Sequence, residues 1–327
     1  MDICLAIDNN YIPQAAVFLG SVIRNTKEEC IFHVLTSGVA AENCSALSAY
    51  AVSLGAKVCF YDLGDFEEKA AKYLGEKPRT GKFASVVLAR IFAPEYLPRE
   101  VEKYLYCDSD MLCLKDLKEL YSTELKGFVC AMCEEPTIYE ELTVPQGRTG
   151  LPEKMYFNSG LMLIDRNVWE ENRTTEKCMA WFKENNGKAG FADQDTINNV
   201  LAGKIKPLAP KFNFFSNYRY QRYKELSKRA PWFKETVSEE SFNEAKKHPV
   251  IIHYAGDERP WIRGNRNPYR KEYLKELSRT PWKDTSLVKG KEAYMAFYHA
   301  VNVLSYMIPG FRTFTSHVYR KTKGRVK

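Results

Sequence analysis

The stretch that sets the fold reads KYLYCDSD, residues 103–110, in which an apolar and aromatic run leads into two carboxylates. The run predicts a buried parallel strand, because such strands are almost continuously apolar. In open α/β sheets ligands bind beyond the carboxyl ends of the strands, where this strand would deliver Asp108 and Asp110. Carboxylates spaced i and i+2 can converge on a hard divalent cation. In an exposed turn they would instead be solvated or cap a helix, and the pair alone leaves both interpretations open.

Strands and helices are predicted to alternate before this stretch. Short apolar runs at Ile3 to Ile7, Ile31 to Leu35 and Lys57 to Tyr61 favour strands. Helical spacing of apolar residues separates them, over Tyr11 to Arg24 and over Ala40 to Leu54. Strands joined by helices of this length pair in parallel through right-handed crossovers.

Further elements are predicted along the chain. The predicted helices are Phe83 to Phe92, Val168 to Lys183 and Gln194 to Leu201, and the predicted strands are Phe128 to Cys133, Leu161 to Ile164 and Val250 to His253. Gly64 to Gly81 is polar and contains Gly and Pro, so we expect a connection there. The fold class is therefore α/β, with a mixed, mainly parallel sheet flanked by helices.

Length and composition indicate an ordinary globular protein. The chain has 327 residues, 45% of them hydrophobic and 27% charged. Single cores stop growing near about 250–300 residues, so we expect one large domain, residues 1–286, and an appendage, residues 287–327. The nine cysteines are odd in number and dispersed, which argues against a disulfide framework. With no basic region of a signal peptide at the N-terminus, we expect a cytoplasmic protein with reduced thiols.

The net charge of +7 is confined to residues 287–327, which hold eight basic residues and one acid. A nucleic-acid-binding domain usually carries its charge on the folded body, so nucleic acid is not expected as a partner. Lys211 to Phe233 does interleave aromatic and basic residues, a pattern that can bind single strands. The other interpretation of this segment is a partly buried loop and helix beside a sugar site.

The appendage is predicted to form an amphipathic helix followed by a basic tail. The apolar stripe comprises Tyr294, Phe297, Tyr298, Val301, Leu304 and Ile308, and the basic tail residues are Arg312, Arg320, Lys321, Lys323, Arg325 and Lys327. This pattern favours peripheral attachment to anionic lipid, on the inner face of the cytoplasmic membrane. The alternative is a helix that packs on the main domain and a solvated end.

Other common sites lack their motifs. No G-x-G-x-x-G follows the first strand, and the glycines near residues 75–83 do not have the spacing of a phosphate-binding loop. Cys130 and Cys133 form a lone C-x-x-C with no second pair to complete a zinc site. They are predicted to be buried thiols.

Six sequence blocks occur in a specific order. They are Ala6-x-Asp8-x-Asn10-Tyr11, the predicted helix around Arg90, Tyr106 to Asp110, Tyr156 to Gly160 with Leu161 to Asp165, Asp193-Gln194-Asp195, and His253 to Gly256 with Pro260-Trp261. As a set they resemble glycosyltransferase family 8, retaining enzymes that use a UDP-sugar and manganese. The resemblance runs from Met1 to about Trp282 and is strongest to the bacterial branch that builds lipopolysaccharide and other cell-surface glycans.

The resemblance implies a GT-A-like nucleotide-sugar-binding fold and a role for each block. Asp108, Asp110 and His253 would bind manganese, with magnesium possible. The other implied donor contacts are Ala6, Asp8 and Asn10 for the nucleoside, Gly256 and Arg259 for the diphosphate, and Arg90, Asn158 and Asp193 for the sugar. Gln194 would lie nearest the anomeric carbon. The implied partners are a UDP-hexose, carrying glucose or galactose, and a glycan or lipid-linked acceptor.

Two residues depart from the family pattern. Arg259 stands where the family commonly has Lys, which keeps the charge but replaces a compact ammonium by a planar fork. Glu134 stands where close relatives often have Asp on the acceptor side of the donor sugar. An amide such as Gln194 is a poor nucleophile, so we expect front-face attack by the acceptor hydroxyl. A sugar nucleotidyltransferase and a non-catalytic membrane-associated binding module remain alternatives.

Overall fold

The computed structural model describes residues 1–78, 85–138, 155–185, 191–257, 259–311, 314–315 and 318. Its strands are β1 (Asp2–Asp8), β2 (Ile31–Ser37), β3 (Lys57–Asp62), β4 (Lys103–Cys107), β5 (Met111–Cys113), β6 (Cys130–Glu134), β7 (Phe157–Asp165), β8 (Ile205–Leu208), β9 (Phe214–Phe215) and β10 (Ile251–His253). Its helices are α1 (Ile12–Asn25), α2 (Ala41–Ser53), α3 (Phe66–Leu74), α4 (Ala89–Tyr96), α5 (Lys118–Tyr121), α6 (Arg166–Glu171), α7 (Thr174–Glu184), α8 (Ala192–Val200), α9 (Tyr223–Arg229), α10 (Phe233–Thr236), α11 (Glu239–Lys247), α12 (Arg270–Leu277) and α13 (Glu292–Met307).

Seven of the described strands form one mixed sheet in the order β3-β2-β1-β4-β7-β6-β8. β1 pairs in parallel with both β2 and β4, whereas β7 is antiparallel to its neighbours β4 and β6. The predicted fold class, a mixed and mainly parallel sheet flanked by helices, is confirmed. Because β1 and β4 are parallel neighbours, the residues that follow them emerge at the same edge of the sheet.

Both faces of this sheet are buried, as the apolar strand sequences predict. Ile3 and Leu5 pack in a core that includes α1 and α2. Cys4 points the other way, into a core that includes α3, α4, α7 and α8. All nine cysteines carry free thiols, and Cys130 and Cys133 are buried as predicted.

A second, three-stranded sheet has the order β5-β10-β9. β10 is antiparallel to β5 and parallel to β9. Around it lies an aromatic core that includes Phe214, Tyr218 and Phe233. The aromatic residues of the segment from Lys211 to Phe233 therefore build a core around the small sheet, which favours the partly buried interpretation of that segment.

Three local predictions need correction. The predicted helix from Val168 to Lys183 is two helices, because Arg173 adopts a left-handed φ of 52° that ends α6 before α7 begins. The connection predicted from Gly64 to Gly81 contains α3, whose apolar side chains recur every four residues and are buried. In the predicted helix around Arg90, Ser85 to Leu88 form a 3-10 turn before α4, and residues 83 and 84 lie outside the described part.

The C-terminal helix α13 forms as predicted, with its polar side inward. Its buried residues are Met295, His299, Asn302 and Ser305. Four of the predicted apolar stripe residues are exposed, namely Tyr294, Phe297, Leu304 and Ile308. The basic tail residues Arg312, Arg320, Lys321, Lys323, Arg325 and Lys327 lie outside the described residues. Within the part that is described, no helix combines the length and apolar character needed to cross a bilayer.

Candidate active site

Three potential metal ligands converge between the two sheets. Asp108 follows β4, Asp110 precedes β5, and His253 ends β10. The antiparallel register pairs His253 with Met111, which places the imidazole beside the residue that precedes β5. One ligand atom from each of the three side chains lies within 4.8 Å of the other two. The imidazole Nε2 is 3.2 Å from Asp110 Oδ1 and 3.9 Å from Asp108 Oδ2.

A chain of hydrogen bonds fixes which nitrogen of His253 carries the proton. The backbone N–H of Gly160 can only donate, and it donates to Asn158 Oδ1 at 3.0 Å. The same oxygen accepts from Asn213 Nδ2 at 2.8 Å, so the Asn213 amide has its oxygen on the other side. That oxygen lies 2.9 Å from Nδ1 of His253, which must therefore be the N–H donor. When the ring is neutral, Nε2 therefore carries a lone pair, which is directed at two carboxylates.

This donor set fits a divalent cation. In the neutral ring, Nε2 has no proton to share with the two carboxylates, whereas a divalent cation would satisfy all three groups. Asp110 Oδ1 is buried and accepts no hydrogen bond within the described residues. A Cβ at Gly160 would lie 2.5 Å from His253 Cε1 and 2.8 Å from Asp108 Oδ2. Glycine at this position therefore keeps the space between the ligands open.

Arg90 balances the charge of the carboxylates of Asp108 and Asp193. Its Nη2 donates to Asp108 Oδ1 at 2.8 Å, and its Nε lies 3.0 Å from Asp193 Oδ2. Its Nη1 donates to the carbonyl of Ser159 at 2.6 Å, and the guanidinium lies over the ring of Tyr106. A buried charge that is paired on all sides is held in one position. Arg90 therefore fixes Asp108 in place.

The site also shifts the pKa values of its ligands. Burial raises the pKa of Asp108, with Asp110 adding to the effect and Arg90 opposing it. Burial acts the same way on Asp110, but His253 and Arg259 outweigh it and lower the pKa of that carboxyl. Burial alone would lower the pKa of His253, and the two carboxylates raise it instead. Protons and a divalent cation would thus compete for the same groups.

The Gln194 side chain is held at every hydrogen-bonding position. Its Oε1 accepts from the backbone N–H of Ser159 at 3.0 Å and from Asn158 Nδ2 at 2.9 Å. Its Nε2 donates to Glu135 Oε2 at 3.0 Å and to the Tyr156 hydroxyl at 3.1 Å. With both lone pairs of its oxygen engaged, the amide has none free to attack a carbon atom.

The structure brings Glu135, rather than Glu134, against the Asn158 and Gln194 amides. Glu135 Oε2 accepts from Asn158 Nδ2 at 2.9 Å. The Glu134 carboxylate accepts instead from the hydroxyl of Thr236. A bulge between Met132 and Glu134 breaks the alternation of side chains along β6, and no sequence signal in this segment marks that bulge.

The residues predicted for the nucleoside lie at the end of β1. Asp8 caps the turn that follows, because its Oδ1 accepts from the backbone N–H of Asn10 at 2.8 Å. Ala6 is half-buried within β1, and Asn10 is exposed. Burial raises the pKa of Tyr11, and the carboxylates of Asp110 and Asp8 contribute to the rise. Tyr11 thus faces both the metal ligands and the end of β1.

The residues predicted for the diphosphate lie on the loop after β10. Gly256 is exposed and adopts a φ of 68°, a conformation that favours glycine. Arg259 helps to lower the pKa of Asp110 and opposes the rise in the pKa of Tyr11, so its charge lies close to the potential metal ligands. Its Nε is buried and has no hydrogen bond among the residues described.

Sequence reasoning missed three residues of this site. Asn213, Glu135 and Ser159 all bond residues that the motifs did identify. Ser159 lies inside a quoted block, next to the assigned Asn158. Asn213 ends a 3-10 turn and Glu135 follows a bulge, and both features leave little trace in an amino-acid pattern.

Asn213→Ala tests the chain of hydrogen bonds. The change removes the acceptor that holds the Nδ1 proton of His253 and leaves Asn158 Oδ1 with one donor fewer. We expect manganese binding to weaken about 10- to 100-fold, the usual cost of losing such a partner of a metal ligand. Manganese titration followed by electron paramagnetic resonance measures this, with Asn185→Ala as the control. Unchanged affinity in Asn213→Ala would contradict the assignment.

Comparison with known proteins places the sequence among glycosyltransferases. The model of the family described as glycosyl transferase family 8 matches residues 2–264. General stress protein A of Bacillus subtilis is 26% identical, over 86% of this chain and 94% of its own. The lipopolysaccharide 1,2-glucosyltransferase of Escherichia coli K12 is 23% identical, over 98% and 92%.

The fold is shared with solved glycosyltransferase structures. The galactosyltransferase LgtC, solved with donor and acceptor sugar analogs, has a TM-score of 0.69 at 22% identity. The match covers 86% of this chain and 96% of that one. The GT-A-like fold that the sequence predicts is therefore confirmed. With a family model that spans most of its length, this chain belongs to glycosyltransferase family 8.

Proposed function

We propose that this protein transfers glucose or galactose from a UDP-sugar to a hydroxyl of a glycan or lipid-linked acceptor, with retention and with manganese as the preferred ion. The observation that carries the proposal is the convergence of Asp108, Asp110 and His253, whose ligand atoms lie within 4.8 Å of one another. Similarity to lipopolysaccharide glucosyltransferases favours a hexose donor and a cell-surface glycan as acceptor.

The chain's own residues suit a leaving diphosphate. A bound divalent ion would act as a Lewis acid on the diphosphate oxygens. The cationic Arg259 faces the metal ligands, and the exposed backbone of Gly256 lies on the same loop. Preorganised charges and N–H donors of this kind stabilise negative charge that develops on a leaving group. Asp8, Asn10 and Ala6 are assigned to the uridine.

The sugar is assigned to the amide and carboxylate cluster around Gln194. Arg90, Asn158 and Asp193 are assigned to its hydroxyls. Because both lone pairs of the Gln194 oxygen are occupied, we favour attack by the acceptor hydroxyl from the face that the diphosphate leaves. The Gln194 and Glu135 side chains would then stabilise positive charge at the anomeric carbon without forming a bond to it.

The first test is Asp110→Asn, which keeps the shape of the side chain but removes an anionic ligand. We expect release of UDP from UDP-glucose or UDP-galactose with manganese to fall by orders of magnitude, since retaining transferases leak donor to water. Asp284→Asn, at an exposed carboxylate, is the matched control. Full activity of Asp110→Asn, or activity that persists in excess chelator, would refute the metal assignment.

The stereochemical test is the configuration of the product. Front-face attack on a UDP-α-sugar retains configuration, so an α-linked product is expected. Proton NMR of the purified product distinguishes the anomers through their coupling constants. A β-linked product would show that the roles assigned to Gln194 and Asp193 are wrong.

We further propose that α13 and the basic tail attach the enzyme to the inner face of the cytoplasmic membrane. Phe297 and Met307 are 67% and 66% exposed on the outer side of α13. Arg222, which precedes α9 in the chain, lies beside the C-terminal end of α13 and donates to the carbonyl of Tyr306 at 2.5 Å. Lys246 lies over the ring of Tyr306, so cations adjoin the apolar surface. The division of the chain at residues 286 and 287 stays a prediction.

Membrane attachment is tested by co-sedimentation with anionic liposomes. The double variant Phe297→Ser with Met307→Ser removes exposed apolar groups without opening a core. We expect it to bind less than the wild type at low salt, and both to bind less at high salt because the basic residues are screened. Val52→Ser, at an exposed position of α2, is the control. Equal binding by all three proteins would refute the proposal that the exposed side of α13 contacts the membrane.

A further inference from the structure

The C-terminal helix α13 docks on the catalytic part of the chain through its polar side. Its buried face carries His299, Asn302 and Ser305, with Met295 as the one apolar member. An interface of this composition gains little from burial of apolar area, so its geometry is set by directional hydrogen bonds. Two of those bonds are made to one loop, described at residues 256–257 and 259–267, and another joins the end of the helix to Arg222. We call this loop the diphosphate loop because it carries Arg259.

Two side chains of α13 bond opposite ends of the diphosphate loop. The Tyr294 hydroxyl donates to Asp257 Oδ2 at 2.8 Å, next to Gly256. His299 Nε2 accepts from the backbone N–H of Arg266 at 2.8 Å. A protonated Nε2 could not accept this bond. Burial and the neighbouring Arg266 lower the pKa of His299, which favours the neutral ring that the contact requires.

The residues just before α13 hold the middle of the loop. Val288 and Ile262 form a parallel bridge, in which the N–H of Val288 donates to the carbonyl of Trp261 at 2.9 Å. Gly264 approaches the start of the helix so closely that a Cβ there would lie 3.2 Å from the Cα of Glu292. The segment from Val288 to His299 therefore contacts the diphosphate loop along its length.

The contacts surround Arg259, the cation assigned to the leaving diphosphate. Its Nε is buried without a hydrogen bond in the described structure, and its charge lies close enough to Asp110 to help lower the pKa of that carboxyl. Trp261, two residues further on, lies near its guanidinium and is bridged to Val288. The position of Arg259 therefore depends on the path of a loop whose neighbours are fixed by α13.

We infer that α13 braces the diphosphate loop, with Tyr294 and His299 as positioning residues that set Arg259 for the UDP diphosphate. The inference rests on the proposed function for the identity of the ligand. It assigns the C-terminal helix a part in donor binding, which is separate from any contact that its exposed side makes with lipid.

The test uses the full-length chain and four single variants. Tyr294→Phe and His299→Ala each remove one brace contact, His299→Gln restores an acceptor near the position of Nε2, and Val303→Ala changes an exposed residue of the same helix. UDP affinity with manganese is measured by calorimetry, and kcat and KM are measured for donor hydrolysis. Hydrogen exchange of residues 256–257 and 259–266 is followed without ligand, and thermal melting confirms folding.

We expect Tyr294→Phe and His299→Ala to weaken UDP binding and raise the donor KM about fivefold, the ratio that one net hydrogen bond supports, with kcat within about twofold. Hydrogen exchange of the diphosphate loop should be faster in both of these variants than in the wild type. His299→Gln and Val303→Ala should resemble the wild type. Unchanged loop exchange in both variants would overturn the brace, whatever the ligand proves to be. Faster exchange with unchanged UDP affinity would overturn its role in donor binding. If the wild type binds no UDP while the two variants still show faster exchange of the loop, the proposed function is refuted and the brace is not.

Discussion

The hydrogen bond from the backbone N–H of Gly160 to Asn158 decides the orientation of the polar groups at the centre of this protein. A backbone N–H can only donate, so the Asn158 amide has one allowed orientation. Asn213 follows from Asn158, and the tautomer of His253 follows from Asn213. The cluster around Gln194 and the three potential metal ligands are thus one network, in which a change at either end is transmitted to the other.

The two sheets bring the ends of this network together. β4 ends at Asp108 in the large sheet, and two residues later the chain enters the small sheet as β5. The β5–β10 register then places His253 beside Asp110. Buried carboxylates in such an arrangement need compensating charge, which Arg90 supplies to Asp108. Much of the site's geometry is therefore a consequence of where one strand ends and the next begins.

The sequence predicted the parts of this arrangement that depend on local pattern. Apolar runs located β1 to β4, and ordered motifs identified Asp108, Asp110 and His253, which the structure brings within reach of one cation. Contacts that depend on long-range pairing were missed. Asn213 ends a 3-10 turn directly before the two-residue strand β9, and Glu135 follows a bulge in β6. The hydrogen bonds on the polar inner side of α13 also depend on long-range contacts, whereas the apolar stripe visible in the sequence lies largely outward, as attachment to lipid requires.

The central claim is that the network holds His253 with its proton on Nδ1 and a lone pair on Nε2, ready for a divalent cation. Long-range proton–nitrogen NMR of nitrogen-labelled protein, without metal and above the pH at which the ring titrates, reports the tautomer directly. The Nδ1–H form is predicted, together with selective broadening of the His253 signals by substoichiometric manganese. An Nε2–H form, or signals that manganese leaves unchanged, would contradict the account.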